Sequence, residues 1–170
     1  MKTKKINKTD IIISEKDTLN EMDFNEFKYG KYFIFLCTLI PEQENERLVI
    51  KETENKLINR QGILYLLILS NRIIKVGSST VSFKERVSSY NCGRKKFREN
   101  GTCSTTNYLV LQSLLNINKP IQVYAHFPDE IEIDVWGTKE VVSIPTKRFE
   151  KMILTELKSK GKLPILCTQQ

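Results

Sequence analysis

The stretch that most restricts the fold is Gly62 to Thr80, GILYLLILSNRIIKVGSST. Two apolar runs flank a polar Ser-Asn-Arg, the pattern of an antiparallel hairpin with core-forming strands. Inside it stands Lys75, a full charge ten residues after Tyr65. If a three-residue turn over 70–72 pairs Leu69 with Ile73, Tyr65 lies opposite Gly77. Lys75 is then the same-face diagonal neighbour of Tyr65, within reach of a long side chain.

Local signals organise the rest of the chain. Ser82-Phe83-Lys84-Glu85 is a capping box heading a helix over 83–90, with Phe83, Val87 and Tyr90 on one stripe and Asn91-Cys92-Gly93 as its stop. GRKKFREN (93–100) reads as a basic loop, and STTNYLVLQSLLNI (104–117) as a second helix. IQVYAHF (121–127) is a strand, and EIEIDVW (130–136) turns back at Gly137-Thr138 into KEVVSI. Thr146 caps a last helix over 147–159 that Gly161 closes.

Upstream, Thr18-Leu19-Asn20-Glu21 fits another capping box, predicting a short helix with Leu19, Met22 and Phe27 near its buried side. KYFIFLCTLI (31–40) and ERLVIKE (46–52) form a strand pair around PEQEN, either an accessory layer or a partner-binding surface. The first 16 or so residues read as a loose basic arm. Strands and helices mix without βαβ regularity. The expected fold is therefore α+β, a small antiparallel sheet flanked by helices. Residues 1–60 are its helix-and-hairpin extension and 61–170 its core, within one compact domain.

Composition narrows the function. At 170 residues and 40% apolar the chain can bury a real core. No apolar run approaches the ~18 residues of a membrane span. The apolar run near the N-terminus is three residues, too short for a signal peptide, so a cytoplasmic location is expected. Cys37, Cys92, Cys103 and Cys167 lack metal-ligand spacing, and with a single histidine no Cys/His zinc site is expected. The net charge of +7 is uneven. Residues 61–120 hold 9 Lys/Arg against 2 Asp/Glu, whereas 1–60 balance at 11 and 11 and 121–170 at 7 and 7. A localised basic field suits a polyanion, most often nucleic acid.

Four features belong together: the strand pair GILY…KVG, the polar SST after its glycine, Arg86 on the next helix, and Glu150 early in the last one. The set resembles the GIY-YIG nuclease family over roughly residues 62–165. GILY is similar to the family's first tripeptide, with Tyr65 at its tyrosine. KVG (75–77) is similar to the second, with Gly77 matched and Lys75 where most members carry another tyrosine. That replacement resembles the family's small Type II restriction enzymes. Arg86, nine residues after Gly77, is similar to the family's helix arginine, and RFEKMILTEL (148–157) to its metal-binding helix. The family's asparagine near the domain end has no match in GKLPILCTQQ.

The resemblance implies a Mg²⁺-dependent endonuclease acting on double-stranded DNA at a short specific site, with Mn²⁺ a substitute and no small-molecule cofactor. Glu150 would hold the one metal ion, whose shell water and substrate oxygens complete. Its alternative is a favourable charge in a helix's first turn. Arg86 would meet the scissile phosphate as a fork of donors. Tyr90 contacts the same phosphate or packs. Tyr65 is the candidate general base, a role that would give Lys75 its purpose. A cation ~4 Å away at an effective dielectric of ~20 is worth about 4 kcal/mol, enough to bring a phenol towards neutrality by up to about 3 pH units. Burial opposes this.

His126 is the rival base or a structural histidine. Arg94, Lys95, Lys96 and Arg98 are expected to track phosphates. Ser104, Thr105, Thr106 and Asn107 offer hydrogen bonds to DNA or only cap a helix. One active-site set for two strands implies a homodimer on a palindromic site, with residues 1–60 embracing DNA or the other subunit. The alternatives are a monomeric structure-specific repair nickase of the same family and a non-catalytic DNA-binding module.

Overall fold

The computed structural model describes residues 11–51, 56–143 and 145–167. Strands β1 (Met22–Asp23), β2 (Ile34–Glu42), β3 (Arg47–Lys51), β4 (Ile63–Leu69) and β5 (Arg72–Ser79) come first. Helices α1 (Phe83–Asn91), α2 (Lys95–Glu99) and α3 (Thr105–Ile117) follow, then β6 (Ile121–His126). Strands β7 (Glu130–Val135) and β8 (Thr138–Ser143) and helix α4 (Thr146–Ser159) complete the order. Six strands form one antiparallel sheet in the order β1-β5-β4-β6-β2-β3, while β7 and β8 make a separate ribbon. The α+β architecture with helices flanking an antiparallel sheet is the expected one. No helix among the described residues is long and apolar enough to cross a membrane.

The unbroken apolar run of β4 has a simple cause: all seven of its residues are buried, because helices cover both faces of the sheet. Ile63, Tyr65, Leu67 and Leu69 pack with Phe83, Val87 and Tyr90 of α1 and with the apolar residues of α3. Leu64, Leu66 and Ile68 pack with Ile153 and Leu157 of α4 and with Phe27 and Phe33. Each such aliphatic side chain contributes about 1.5–3 kcal/mol relative to an exposed one. The hairpin is therefore anchored from both sides.

The register reaches the expected pair by another route. Ser70 and Asn71 both have positive φ (47° and 65°), and Leu69 pairs with Arg72 across a two-residue turn. Continued regularly, that turn would set Tyr65 against Val76. A bulge intervenes: Ile68 pairs with Ile73 but Leu67 pairs with Lys75, so Ile74 is the extra residue. Beyond it Tyr65 faces Gly77, and Lys75 shares Tyr65's face.

Three expectations are corrected. No helix starts at Thr18: the capping box is Ser14 with Asp17, heading a 3-10 turn at Glu15–Thr18, and Leu19 is exposed. Met22–Asp23 then pairs with the start of β5, and 3-10 turns at Phe24–Glu26 and Gly30–Tyr32 carry Phe27 into the core. Nor is the arm loose up to residue 16. Ile13 is buried, and its N–H donates to Ser113 Oγ at 3.2 Å; residues 1–10 lie outside the described ones. Finally, the basic loop contains the short helix α2. The β2–β3 pair is as expected, but it extends the central sheet beside β6 rather than forming a layer of its own.

Candidate active site

The second half of β5 is an edge, and the site gathers around it. A cleft of 610 Å³ is lined by Tyr65 from β4, Lys75, Gly77 and Ser78 from β5, Arg86 from α1, and Glu150 from α4. Four of the five residues expected at the catalytic centre thus line one cavity. The fifth, Tyr90, is fully buried behind Tyr65.

Gly77 explains how the Tyr65 ring fits. A Cβ there would overlap the phenol Cζ and Oη and lie 2.9 Å from Cε2. The ring also meets Phe83 edge-on, with centroids 5.2 Å apart. Its hydroxyl is hydrogen-bonded to the Tyr90 hydroxyl and accepts from Arg86 Nε at 3.2 Å. Arg86 in turn lies over the Tyr90 ring, 4.4 Å from its centroid. The capping box of α1 fixes this geometry, because Ser82 and Glu85 exchange side-chain and backbone hydrogen bonds at the helix start.

The electrostatics correct one expectation. Burial, reinforced by the Tyr90 oxygen, holds the Tyr65 phenol well above its ordinary value, and Lys75 and Arg86 pull it down without prevailing. Burial likewise raises Tyr90, against the opposing charge of Arg86. Lys75 is no snorkelling surface lysine. It is 1% exposed, and Nζ donates to the Leu166 carbonyl at 3.3 Å.

Glu150 reaches the cleft from the other side of the sheet. On α4 it belongs to the buried stripe Thr146, Glu150, Ile153 and Leu157, at helical spacing. Its carboxylate accepts a hydrogen bond from the Ser78 hydroxyl. Strand alternation directs Ser78 to this face, opposite to that of Gly77. Sequence reasoning noted the polar SST run but gave Ser78 no task. It also missed the C-terminal 3-10 turn Ile165–Cys167, which lies along the β5 edge. Cys167 Sγ accepts from Val76 N–H at 3.3 Å and donates to Val76 carbonyl at 3.2 Å, standing in for a missing strand.

As a metal centre the site offers one hard carboxylate beside an open cleft. Among the described residues no three His, Cys, Asp or Glu side chains cluster as ligands. That donor set fits a cation that keeps most of its shell for water and substrate oxygens, as Mg²⁺ does.

None of the basic-loop and helix-head residues expected to contact DNA, Arg94 to Arg98 and Ser104 to Asn107, lines this cleft. Lys96 is exposed, and Lys95 borders a separate cavity of 820 Å³. Arg94 is half-buried, with Nε lacking a hydrogen-bond partner. Arg98 donates to Thr105 Oγ1 at 3.0 Å and lies over the Tyr108 ring. Ser104 caps α3 by accepting from Asn107 N–H at 3.1 Å, and Thr106 is half-buried. The Asn107 backbone packs so closely on Gly93 that a Cβ there would overlap its carbonyl. His126 lies away from the cleft, its Nδ1 bonded to the Tyr32 carbonyl at 3.0 Å and its ring between Phe33 and Phe149.

Comparison with solved structures gives two informative likenesses. The restriction endonuclease HPY188I, solved in complex with product DNA, is 43% identical over 97% of this chain and 97% of that chain, with a TM-score of 0.75. A mutant of bacteriophage T4 EndoII is 14% identical over 82% of this chain and 96% of that chain, with a TM-score of 0.55, a likeness of fold alone. No protein-family model matches the chain, and no curated protein does.

Proposed function

This chain belongs to the family of the restriction endonuclease HPY188I, and from that premise we propose that it is a Mg²⁺-dependent Type II endonuclease of the GIY-YIG kind, cutting double-stranded DNA at a short specific site. The observation that carries the reading is the meeting of Tyr65, Lys75, Arg86 and Glu150, from four separate elements, around one cleft.

In this reading the scissile phosphate enters against Arg86, whose guanidinium already points at the Tyr65 oxygen and supplies a fork of donors to phosphate oxygens. Water attacks phosphorus: a new P–O bond forms, the bond to the leaving alkoxide breaks, and the water's proton passes to Tyr65 Oη in its phenolate form. Lys75 and Arg86 favour that form. Because burial keeps the phenol protonated, the reactive fraction is small near neutrality and rises about tenfold per pH unit. Glu150, oriented by Ser78, would hold the divalent ion, which supplies charge stabilisation at the leaving oxygen. Tyr90 holds Tyr65 and Arg86 in place from behind.

One such site cuts one strand, so two copies on a palindromic sequence are the economical way to cut both. The α2 cations and the head of α3 serve as phosphate contacts, and residues 1–60 as the surface for DNA or the second subunit.

The test is incubation with unmethylated plasmid, with and without Mg²⁺, beside Glu150→Ala. Discrete metal-dependent linear fragments, lost in the variant, are expected. Nicked circles without sequence preference would support a repair nickase instead, and binding without cleavage under any divalent ion a non-catalytic module.

A further inference from the structure

The lysines around helix α4 fall into two groups. Glu156 is paired with Lys28 at 2.7 Å and with Lys160 at 3.0 Å. Lys147, Lys151 and Lys158 occupy positions i, i+4 and i+11 and are exposed, and their ammonium groups have no ion-pair or hydrogen-bond partner among the described residues. All three edge a groove of 430 Å³ with Leu154, Leu163 and Cys167 among its walls. Lys147 and Glu150 line both this groove and the catalytic cleft, so the two cavities adjoin.

We propose that this groove seats the sugar-phosphate backbone of the DNA strand as it leaves the cleft, with Lys151 and Lys158 each neutralising one phosphate. The inference rests on the endonuclease reading above and extends it to a binding track outside the cleft. Three lysines along about 16 Å of helix outnumber the one carboxylate of the groove, Glu150, so the track is net positive and suits a polyanion. A lysine ammonium on a flexible stem suits phosphate as a point charge. The groove's other side chains are apolar apart from Thr155 and Glu150, with no amide or guanidinium fork for base edges, so it supplies affinity and register rather than sequence choice. Its apolar walls suit the sugars. Glu150 sits on the same helix, so a strand held in this track is aligned with the metal-binding carboxylate by one rigid element.

The test compares the full-length protein with Lys151→Gln/Lys158→Gln and with the charge-reversed Lys151→Glu/Lys158→Glu. Binding to a labelled duplex is measured without divalent metal across a salt series, and cleavage kinetics with Mg²⁺. The glutamine variant should reduce the log–log salt slope by about 1.8, from two phosphates at ~0.9 each. Its loss should fall on KM rather than kcat, with the glutamate variant weaker still. Both positions are exposed, so an unchanged melting temperature is expected and rules out misfolding. A slope equal to wild type, or a change in oligomeric state in place of DNA affinity, would overturn the track. If the wild-type protein itself fails to cut DNA, it is the endonuclease reading that falls.

Discussion

The Tyr65 phenol occupies the space that a side chain at Gly77 would fill. The pair faces each other only because the Ile74 bulge shifts β5 by one residue beyond the two-residue turn. Glycine, bulge and tyrosine therefore act as one device that lays the phenol oxygen over the edge strand, within reach of Arg86 and Tyr90.

Gly77→Ala should test that device directly. The added methyl has to displace the ring, at a cost of about 1–3 kcal/mol in stability. Single-turnover cleavage should drop by about 100-fold or more, since small misplacements of a reacting group are that costly. Cleavage at the wild-type rate would mean that the ring's position is unimportant.

Tyr65→Phe keeps the ring and removes the proposed proton acceptor, so cleavage should fall by about 10²–10⁴-fold. In the wild type the raised phenol gives a sign for pH dependence. The rate should climb close to tenfold per pH unit from about pH 6.5 to 9 under single-turnover conditions. A flat profile would remove Tyr65 from the proton transfer. The same burial makes stability alkali-sensitive. The folded-state value lies above the unfolded one of about 10, so the contribution is complete below pH 10 and lost above it.

Glu150→Ala and Ser78→Ala should separate holding a metal from orienting its ligand. The first should abolish Mg²⁺-dependent cleavage while DNA binding persists. The second should raise the Mg²⁺ concentration for half-maximal rate by about 10–100-fold, the usual effect of losing a ligand's supporting hydrogen bond. Isothermal titration with Mg²⁺ and rate measurements over a Mg²⁺ series give both numbers. Equal loss in the two variants would show that Ser78 does more than orient.

Much of this site was legible because its signals are local. Strand alternation, two glycines and the Ser82–Glu85 box are short-range features that point Tyr65, Lys75 and Arg86 to one end of the sheet, though their final register also needs the Ile74 bulge. What stayed hidden depends on packing. The bulge at Ile74 has no marker in the string RIIKVG, where either isoleucine can face either side of a sheet covered on both. The raised Tyr65 phenol depends on how completely the ring is enclosed, which a pairwise charge argument omits. Thr18–Glu21 matches a capping box in composition, but the stronger reciprocal bonds of Ser14 with Asp17 start the turn four residues earlier. The role of Cys167 could not be read at all, since a thiol completing a strand edge 91 residues away leaves no periodicity.

That thiol carries a further prediction. Cys167→Val fills the same space but leaves the Val76 N–H and carbonyl unpaired on a buried edge, and each orphaned group costs about 1–3 kcal/mol. Cys167→Ser retains both partners and should cost less. Urea midpoints should rank wild type above serine above valine. Valine equal to serine would show that Sγ merely fills volume.

Glu21 ties the N-terminal segment to that same C-terminal turn, accepting from Ile165 N–H at 3.1 Å. Burial raises its carboxyl to about 7, against the pull of that N–H and of Lys162. The folded value lies above the unfolded one, so the stabilising contribution is complete below about pH 4.5 and is lost as pH rises through 7. Glu21→Gln keeps an acceptor for Ile165 and removes the charge. After allowing for screening at a half-buried site, the gain at pH 8 should be on the order of 1 kcal/mol, or about 2–4 °C in melting temperature. At pH 4, where the carboxyl is protonated in the folded state and largely so in the unfolded one, the two proteins should melt together. A gain of equal size at both pH values would trace the effect to shape rather than to charge. A loss at pH 8 would mean that the carboxylate, through Lys162, favours the folded state after all.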